Sequence, residues 1–266
     1  MNPAQAASPV ASPQVSSADL FEGVIRMADD ALILSHRISE WASWAPQLEE
    51  DMALANIALD LLGQARLLLT YAGEIEGTGR DEDALAFLRP EREFRCVLLV
   101  EQPTVHHFDR LIAVLLTFSA WWVPMLQSLT RSSDVRLAEI AAKSVKEARY
   151  HLEHAAAWTI RLGDGTAYSR ARMQQAVDEI WPLAGDVFEA DEITERLVSA
   201  GVLPDPEAIR PAWDAAIDQV LAEATLVRPT RGFRPGTGRR GVHSEHLGYL
   251  LAEMQSVHRM HPGAQW

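Results

Sequence analysis

No histidine in this chain follows a glutamate or an aspartate by three positions. The nine histidines are His36, His106, His107, His151, His154, His243, His246, His258 and His261. A carboxylate-bridged di-iron site in a four-helix bundle takes a Glu-x-x-His pair from each of two helices and one carboxylate from each of the other two. The sequence therefore excludes both Glu-x-x-His pairs of such a site.

Cysteine is also scarce, because Cys96 is the only one and no internal disulfide can form. Its neighbours Phe94, Val97, Leu98 and Leu99 are apolar, which favours a buried, inert thiol over a reactive one. A chain that depends on no disulfide fits a reducing compartment such as the cytoplasm.

The first 18 residues lack the basic start and the apolar core of a signal peptide, so residues 1–18 are expected to form a disordered tail. We expect no apolar run that is long and uniform enough to cross a membrane, and therefore a cytoplasmic protein without membrane contact. The net charge of −13 argues against nucleic acid as a partner, because so acidic a chain has no broad cationic surface.

The apolar periodicity favours an all-α fold with one domain from 19 to 266. A core four-helix bundle is predicted over 19–163, and a helical extension over 164–266. Pro46 should end the first helix, and Gly163-Asp164-Gly165 should end the fourth. The predicted helices cover 19–44, 47–72, 103–126, 134–162, 168–199, 206–224 and 244–259.

Several polar residues interrupt the apolar faces of these helices. Residues four apart share one face of a helix, as do Asp60 and Gln64, and Glu147 and His151. Each residue alone is typical of a solvent-facing stripe or of a satisfied core hydrogen bond. As a set they predict a buried polar cluster at the centre of the bundle. The other polar residues weighed for it are His36, Glu40, Asn56 and Asp109.

Three further features leave alternatives open. Residues Arg228 to Arg240 form an arginine-rich irregular segment, which is either a solvated connection or a docking patch for phosphates or an acidic partner. His243 and His246 invite a metal site, but Ser244 between them favours a helix start. The tryptophans Trp41, Trp44, Trp121 and Trp122 fit either a core or an interface.

Several segments together resemble the family of non-catalytic C components of the bacterial multicomponent phenylacetyl-CoA 1,2-epoxidases, and the resemblance covers nearly everything after residue 30. They are Ser35 to Trp41, Ala53 to Arg66, Val100 to Pro103, Lys146 to His151, Gly241 to Gly248, Leu251 to Gln255 and Pro262 to Trp266.

The resemblance implies a ferritin-like bundle and a structural role beside a homologous catalytic subunit. That partner would hold the di-iron centre and bind phenylacetyl-CoA. A reductase with FAD and an iron-sulfur cluster would deliver electrons from NADPH, and a small accessory subunit is a further expected partner. This chain would contribute no catalytic residue, cofactor or metal.

The same resemblance implies a degenerate metal site. Leu61 and Ala148 stand where the catalytic relative has carboxylates, and Gln64 stands where it has an imidazole. Apolar side chains offer no donor atom, and an amide is a poor substitute for imidazole. The expected remnant consists of Glu40, Asp60, Leu61, Gln64, Asp109, Glu147, Ala148 and His151.

Two alternatives remain at this point. The first is an active mononuclear or dinuclear metal oxygenase or oxidase that uses Glu40, Asp60, Glu147 and His151, because residues four apart can reach one ion. The second is an unrelated helical adaptor or small-molecule-binding bundle.

Overall fold

The computed structural model of the protein describes residues 15–104 and 106–264, and these residues form helices and turns without a β-strand. The all-α prediction is confirmed. The helices are α1 (Ser17–Ser39), α2 (Leu48–Glu76), α3 (Glu82–Phe87), α4 (Phe108–Leu129), α5 (Val135–Gly163), α6 (Ala167–Ile180), α7 (Glu192–Ser199), α8 (Pro206–Glu223), α9 (Glu245–Met254) and α10 (Ser256–Met260).

The bundle consists of two helix pairs, since α1 packs along α2 and α4 packs along α5, and α2 joins the pairs by packing on α5. Helices α6 and α8 pack on α4, while α7 and α9 pack on α1. Buried apolar residues run through all these contacts, and Ile33, Ile57, Leu115 and Ala148 are fully inaccessible. Burial of this apolar surface is the main force that holds the helices together.

Side-chain caps explain several helix starts. Ser16 accepts a hydrogen bond from the Asp19 amide, and Asp134 accepts one from the Leu137 amide. Each cap satisfies an amide that has no partner inside its helix. Of the expected disordered tail at 1–18, residues 1–14 lie outside the described residues, and α1 already begins at Ser17.

The predicted boundary of the second helix was wrong at its C-terminal end. The helix continues through Gly73 to Glu76 and ends at Gly77, whose φ of 67° places it in the left-handed region. Gly73 is needed inside the helix, because a Cβ there would lie 2.3 Å from the Arg80 carbonyl oxygen. The glycine allows close packing at this position instead of ending the helix.

Other boundaries also differ from the prediction. The first helix ends at Ser39 instead of Trp44, and α4 begins at Phe108 instead of Pro103. The predicted helix at 168–199 is divided into α6 and α7 by short 3₁₀ turns that include Pro182. Proline lacks an amide hydrogen and clashes with the preceding helical turn, so a continuous helix is unfavourable there.

Two helices are long and apolar enough to cross a membrane by length and composition, which corrects the expectation that no such run exists. In α4 the most apolar window is 83% buried, so this helix forms part of the protein core. In α2 the corresponding window is only 44% buried, because one face of the helix remains uncovered.

Candidate functional site

The predicted polar cluster lies along the seam between α2 and α5, which run antiparallel. His151 Nε2 lies 3.1 Å from Asp60 Oδ2, and one turn further along Gln64 Nε2 donates to Glu147 Oε2 at 2.9 Å. The i, i+4 spacing on each helix produces this ladder, because residues four apart lie one above the other on a helix face. The structure therefore brings together four of the expected residues.

Gln64 uses both ends of its amide. While Nε2 donates to Glu147, Oε1 accepts a 2.9 Å hydrogen bond from Trp122 Nε1 on α4. Gln64 is 2% exposed and Trp122 is 1% exposed. This buried bridge links three helices through one side chain, so the amide has a structural role.

His151 is almost completely buried, whereas about a third of the Asp60 side chain is exposed. Burial lowers the pKa of His151 despite the nearby Asp60 carboxylate. The imidazole is therefore neutral near pH 7, with its Nε2 hydrogen donated to Asp60. Leu61 and Ala148, the residues beside these polar groups, are buried and supply no donor atom.

Glu40 and Asp109 do not join this ladder. Glu40 Oε1 pairs with Arg37 at 2.7 Å, and Asp109 Oδ1 pairs with Arg172 of α6 at 2.9 Å. Each acid therefore pairs with an arginine, although Glu40 Oε2 is buried without a hydrogen-bond partner among the described residues. Arg37 and Glu40 are three positions apart at the end of α1, and residues at this spacing are neighbours on a helix surface. This pair is therefore visible in the sequence itself.

The seam has two further polar links that the sequence analysis missed. At one end Trp158 Nε1 donates to Glu50 Oε2 at 2.6 Å, and His154 Nε2 lies 3.3 Å from the same oxygen. At the other end the Tyr71 hydroxyl donates to Asp134 Oδ2 at 2.6 Å. The α2–α5 contact is therefore polar along most of its length.

A second polar cluster surrounds Glu101, which is fully buried before α4. His243 Nδ1 lies 2.6 Å from Glu101 Oε1, and His243 Nε2 lies 2.9 Å from the Phe94 carbonyl oxygen. Both ring nitrogens face acceptors, so both donate and the ring is an imidazolium. Burial opposes this charge, but the hydrogen bond to Glu101, the negative charge of Glu101 and the Phe94 carbonyl together outweigh it and raise the pKa of His243.

Ser244 completes the environment of Glu101. Its amide donates to Glu101 Oε2 at 2.8 Å and its hydroxyl donates to the same oxygen at 2.6 Å. Ser244 is the N-cap residue of α9, so the predicted helix start is confirmed, although its side chain does not bind the helix amides. The hydroxyl instead ties the start of α9 to the segment before α4.

Cys96 borders this cluster, with Sγ 3.7 Å from Glu101 Oε1. The thiol is fully buried, and burial together with the Glu101 charge raises its pKa well above the usual value. A thiol that stays protonated and inaccessible is unreactive. The expectation of a buried, inert cysteine is confirmed.

A metal centre needs several ligand atoms close together. Within residues 15–104 and 106–264, three ligand atoms from His, Cys, Asp or Glu side chains come within 4.8 Å of one another at one place. They belong to Cys96, Glu101 and His243. There the imidazole nitrogens and the carboxylate oxygens already bind protein groups. The seam residues of the described ranges form no such group.

The arginine-rich segment is irregular as predicted up to a 3₁₀ turn at Gly238–Arg240. Arg239 pairs at 2.7 Å with Asp30, a fully buried residue of α1, and Arg228 pairs with Asp214 and Asp218 of α8. These two arginines hold the segment on the bundle. Arg231 is exposed and Arg234 is exposed as well.

Three of the four tryptophans belong to the core. Trp41, Trp121 and Trp122 are between 1% and 3% exposed, whereas Trp44 is 60% exposed. Trp44 lies between α1 and α2, and its ring contacts that of His106 at a centroid distance of 4.4 Å.

Replacing Gln64 by Leu should lower the free energy of unfolding by roughly 1–3 kcal/mol. The change keeps the approximate volume but leaves the buried Trp122 indole N–H without its acceptor. Urea denaturation measures the effect. Gln219→Leu is the matched control, because that exposed glutamine bonds to Glu223 on the surface of α8 and should change stability by less than about 0.5 kcal/mol. Equal stability of the two variants would contradict a structural role for the Gln64 bridge.

Comparison with known proteins gives two findings. A family model described as phenylacetic acid catabolic protein matches residues 4–266. The chain is also 49% identical over 243 residues to the C component of the 1,2-phenylacetyl-CoA epoxidase of Escherichia coli (strain K12), a match that covers 91% of this chain and 97% of that protein. Both matches include α2, α5 and the segment around Glu101. The matched family is ferritin-like, which confirms the expected fold.

Proposed function

This chain belongs to the phenylacetic acid catabolic protein family, and from that we propose that it is the structural subunit of a phenylacetyl-CoA epoxidase. A homologous partner holds the di-iron centre, binds phenylacetyl-CoA and carries out the ring epoxidation of phenylacetate catabolism. This chain contributes no metal ligand, and it supports the fold and assembly of the catalytic subunit. We place the complex in the cytoplasm.

The observation that carries this proposal is the direct bond between Gln64 and Glu147. In a metal centre, inward-facing carboxylates bind cations, and neighbouring hydrogen-bonding groups orient those carboxylates. Here the Glu147 carboxylate accepts a hydrogen bond from an amide, and that amide is itself held by Trp122. The seam side chains that could bind a metal are already hydrogen-bonded to other protein groups, which supports a degenerate site.

The charge of the seam supports the same proposal. Two divalent cations in a low-dielectric core require several nearby carboxylates. Glu40 and Asp109 form ion pairs with Arg37 and Arg172, which offset their charges. Of the acids expected in the remnant, Asp60 and Glu147 are left, too few for a dinuclear site.

The further components of the complex follow from the same family relation. We infer a reductase that carries FAD and an iron-sulfur cluster and takes electrons from NADPH, and a small accessory subunit. None of these groups is expected to bind to this chain as a cofactor. Its own contribution is a rigid bundle whose polar seam needs no ion.

An active metalloenzyme that uses Glu40, Asp60, Glu147 and His151 receives less support from the geometry. Glu40 is bound to Arg37 through Oε1, and its carboxylate makes no hydrogen bond to the other three within the described part of the chain. His151 and Glu147 would each have to give up a hydrogen bond to the opposite helix.

Metal analysis of the purified full-length chain tests the proposal. The chain is expressed alone and together with its homologous partner, and each sample is analysed by size-exclusion chromatography and elemental analysis. We expect far less than one iron or manganese per lone chain, and an iron-containing complex after co-expression. Near-stoichiometric metal in the lone chain would contradict the degenerate site, and failure to form a complex would contradict the structural role.

A further inference from the structure

Trp121 differs from three other buried tryptophans in its hydrogen bonding. The indole N–H groups of those three each donate to a protein oxygen; they are Trp41, Trp122 and Trp213. Trp121 is only 3% exposed, and its Nε1 is buried without an acceptor in the described part of the chain. A buried donor has given up its hydrogen bond to water, which is unfavourable unless another molecule supplies the acceptor.

Trp121 lines a cavity of about 50 Å³ between α1, α4, α7 and the segment that joins α7 to α8. The wall is mostly apolar, and Met27, Met125, Leu203 and Pro204 contribute to it. One water molecule needs about 10–15 Å³, so the cavity has room for a molecule of roughly three or four non-hydrogen atoms. The two methionines have flexible side chains that adapt to the shape of a small molecule.

The charged groups of the wall are bound to other protein groups. Arg26 pairs with Asp191 at 2.7 Å, and Arg239 pairs with Asp30 at 2.7 Å. Glu189 accepts the Gly236 amide and adds a further negative charge. An anion would meet these carboxylates, and a cation cannot accept a hydrogen bond from an indole N–H. The wall therefore suits a neutral molecule that has an acceptor.

Water fits this wall less well than a carbonyl compound does. A buried water molecule typically makes about three hydrogen bonds and needs acceptors for its own hydrogens. The Thr194 hydroxyl of the wall already binds Arg26 and Asp191, and Glu189 is exposed to solvent. A carbonyl oxygen accepts a hydrogen bond and brings no donor that needs a partner, while its carbon substituents cover apolar surface.

We propose that this cavity, which we call the Trp121 site, binds a small neutral carbonyl compound such as a ketone. The carbonyl oxygen accepts the hydrogen bond of the Trp121 indole, and the carbon atoms contact Met27, Met125 and Leu203. The inference goes beyond the proposed function and does not depend on it, because every group that forms the site belongs to this chain.

One side of the Trp121 site is formed by α7, which contributes Thr194 and packs on α1. The ion pair of Arg196 with Asp19 and the pair of Arg26 with Asp191 hold this short helix in place. The Arg196 and Asp191 side chains are about half exposed, and exposed ion pairs contribute little to stability. Local opening of α7 therefore provides a route by which a ligand enters the site.

NMR of the tryptophan indole groups in the intact chain tests the proposal with acetone as the probe. Tryptophan is isotope-labelled at the indole nitrogen, and the Trp121 signal is identified by its loss in Trp121→Phe. We expect acetone to move the Trp121 indole proton downfield until the shift saturates, because the N–H gains an acceptor. Trp41 already donates to Thr104, so its signal is the internal control and should show no saturating shift. A drift without saturation that is equal for both signals would overturn the proposal.

A second probe separates the hydrogen bond from shape. In 2-methylpropene a methylene group replaces the oxygen of acetone, and the shape is otherwise the same. This alkene should bind at least about tenfold more weakly than acetone, because it leaves the indole N–H without an acceptor. Equal binding of the two probes would show that the site does not recognise a carbonyl oxygen, and the proposal would fail.

A variant that fills the cavity gives a further readout. Leu203→Phe adds a ring to the wall and should abolish the saturating shift of the Trp121 signal. Leu162→Phe is the matched control, because it makes the same change at a partly buried leucine of α5 outside the site. This control should bind acetone as the unchanged chain does. Acetone binding that persists in Leu203→Phe would place the ligand elsewhere and overturn the proposal.

Two checks complete the experiment. Circular dichroism and an unchanged Trp41 signal show that each variant keeps its fold. If the Trp121 signal of the chain without acetone already has the chemical shift of a hydrogen-bonded indole, and acetone does not move it, then water supplies the acceptor and the proposal is wrong.

Discussion

Replacing Glu101 by Gln should lower the free energy of unfolding by about 3–5 kcal/mol. The carboxylate is fully buried and receives the His243 imidazolium and both donors of Ser244. The substitution keeps the shape but removes the negative charge, so the imidazolium is left uncompensated in the interior. The expected result is a clear shift of the urea midpoint at pH 6, with an unchanged slope.

The pH dependence of this effect follows from His243. Its pKa in the folded protein lies above the ordinary value of 6.5, so its contribution to stability is fully present below pH 6.5 and is lost as the pH rises through the folded-state pKa. The stability difference between the unchanged chain and Glu101→Gln should therefore shrink at alkaline pH. A difference that grows with pH would contradict a charged His243–Glu101 pair.

Glu207→Gln is the matched control for this prediction. Glu207 forms an ion pair with Arg210 at 3.1 Å on α8, but 64% of its side chain is exposed. Exposed pairs contribute at most about 1 kcal/mol, because water already solvates both charges. A loss from Glu101→Gln as small as the loss from this control would show that the buried pair is not formed.

The seam cluster could be predicted from the sequence because its order is local. Asp60 and Gln64 share one face of α2, Glu147 and His151 share one face of α5, and two such faces that meet must form cross-links. Asp109 could not be placed in this way. Its partner Arg172 is 63 residues further along the chain, and no periodicity connects them.

The Glu101 cluster shows the same limit more clearly. Glu101 and His243 are 142 residues apart, and neither lies inside a helix. Apolar periodicity predicts helices and their buried faces, but it does not tell which irregular segments meet in the core. Two features of the sequence pointed to this region, namely the apolar neighbours of Cys96 and the N-cap position of Ser244. They predicted burial and a helix start, but they did not predict the contact between Glu101 and His243.

Some helix boundaries could be predicted from the sequence and others could not, for the same reason. The start and end of α5 followed from Asp134 and the glycines after Leu162, because caps are local chemistry. Gly73 gave the wrong end for α2, since its reason lies in a tertiary approach of the Arg80 backbone. The sequence alone does not reveal whether a glycine ends a helix or allows another backbone segment to approach closely.

Replacing Arg239 by Met should also be strongly destabilising, by about 3–5 kcal/mol at pH 7. Arg239 lies in the arginine-rich segment and binds the fully buried Asp30 of α1, whose carboxylate also accepts a hydrogen bond from the Val97 amide. Without the guanidinium, Asp30 is a buried carboxylate that lacks its cation. Chemical denaturation at pH 7 measures the loss.

A second substitution separates the lost ion pair from lost packing. Asp30→Asn in the Arg239→Met background removes the uncompensated charge, so the double variant should be more stable than Arg239→Met alone. If the two are equally unstable, packing of the arginine stem and not the ion pair holds this segment on the bundle. Arg231→Met, at an exposed position of the same segment, should leave the stability within about 0.5 kcal/mol of the unchanged chain.

The Asp30 carboxyl group determines how the stability loss caused by Arg239→Met depends on pH. Burial raises its pKa to about 6 even though Arg239 acts to lower it, so removal of the arginine should raise the pKa further. Between the unfolded value of 3.8 and this raised value, the folded state binds more protons than the unfolded state, and stability increases as the pH falls. The loss caused by Arg239→Met should therefore be smaller at pH 5 than at pH 7. A loss that is equal at both pH values would mean that Asp30 is not the group left uncompensated.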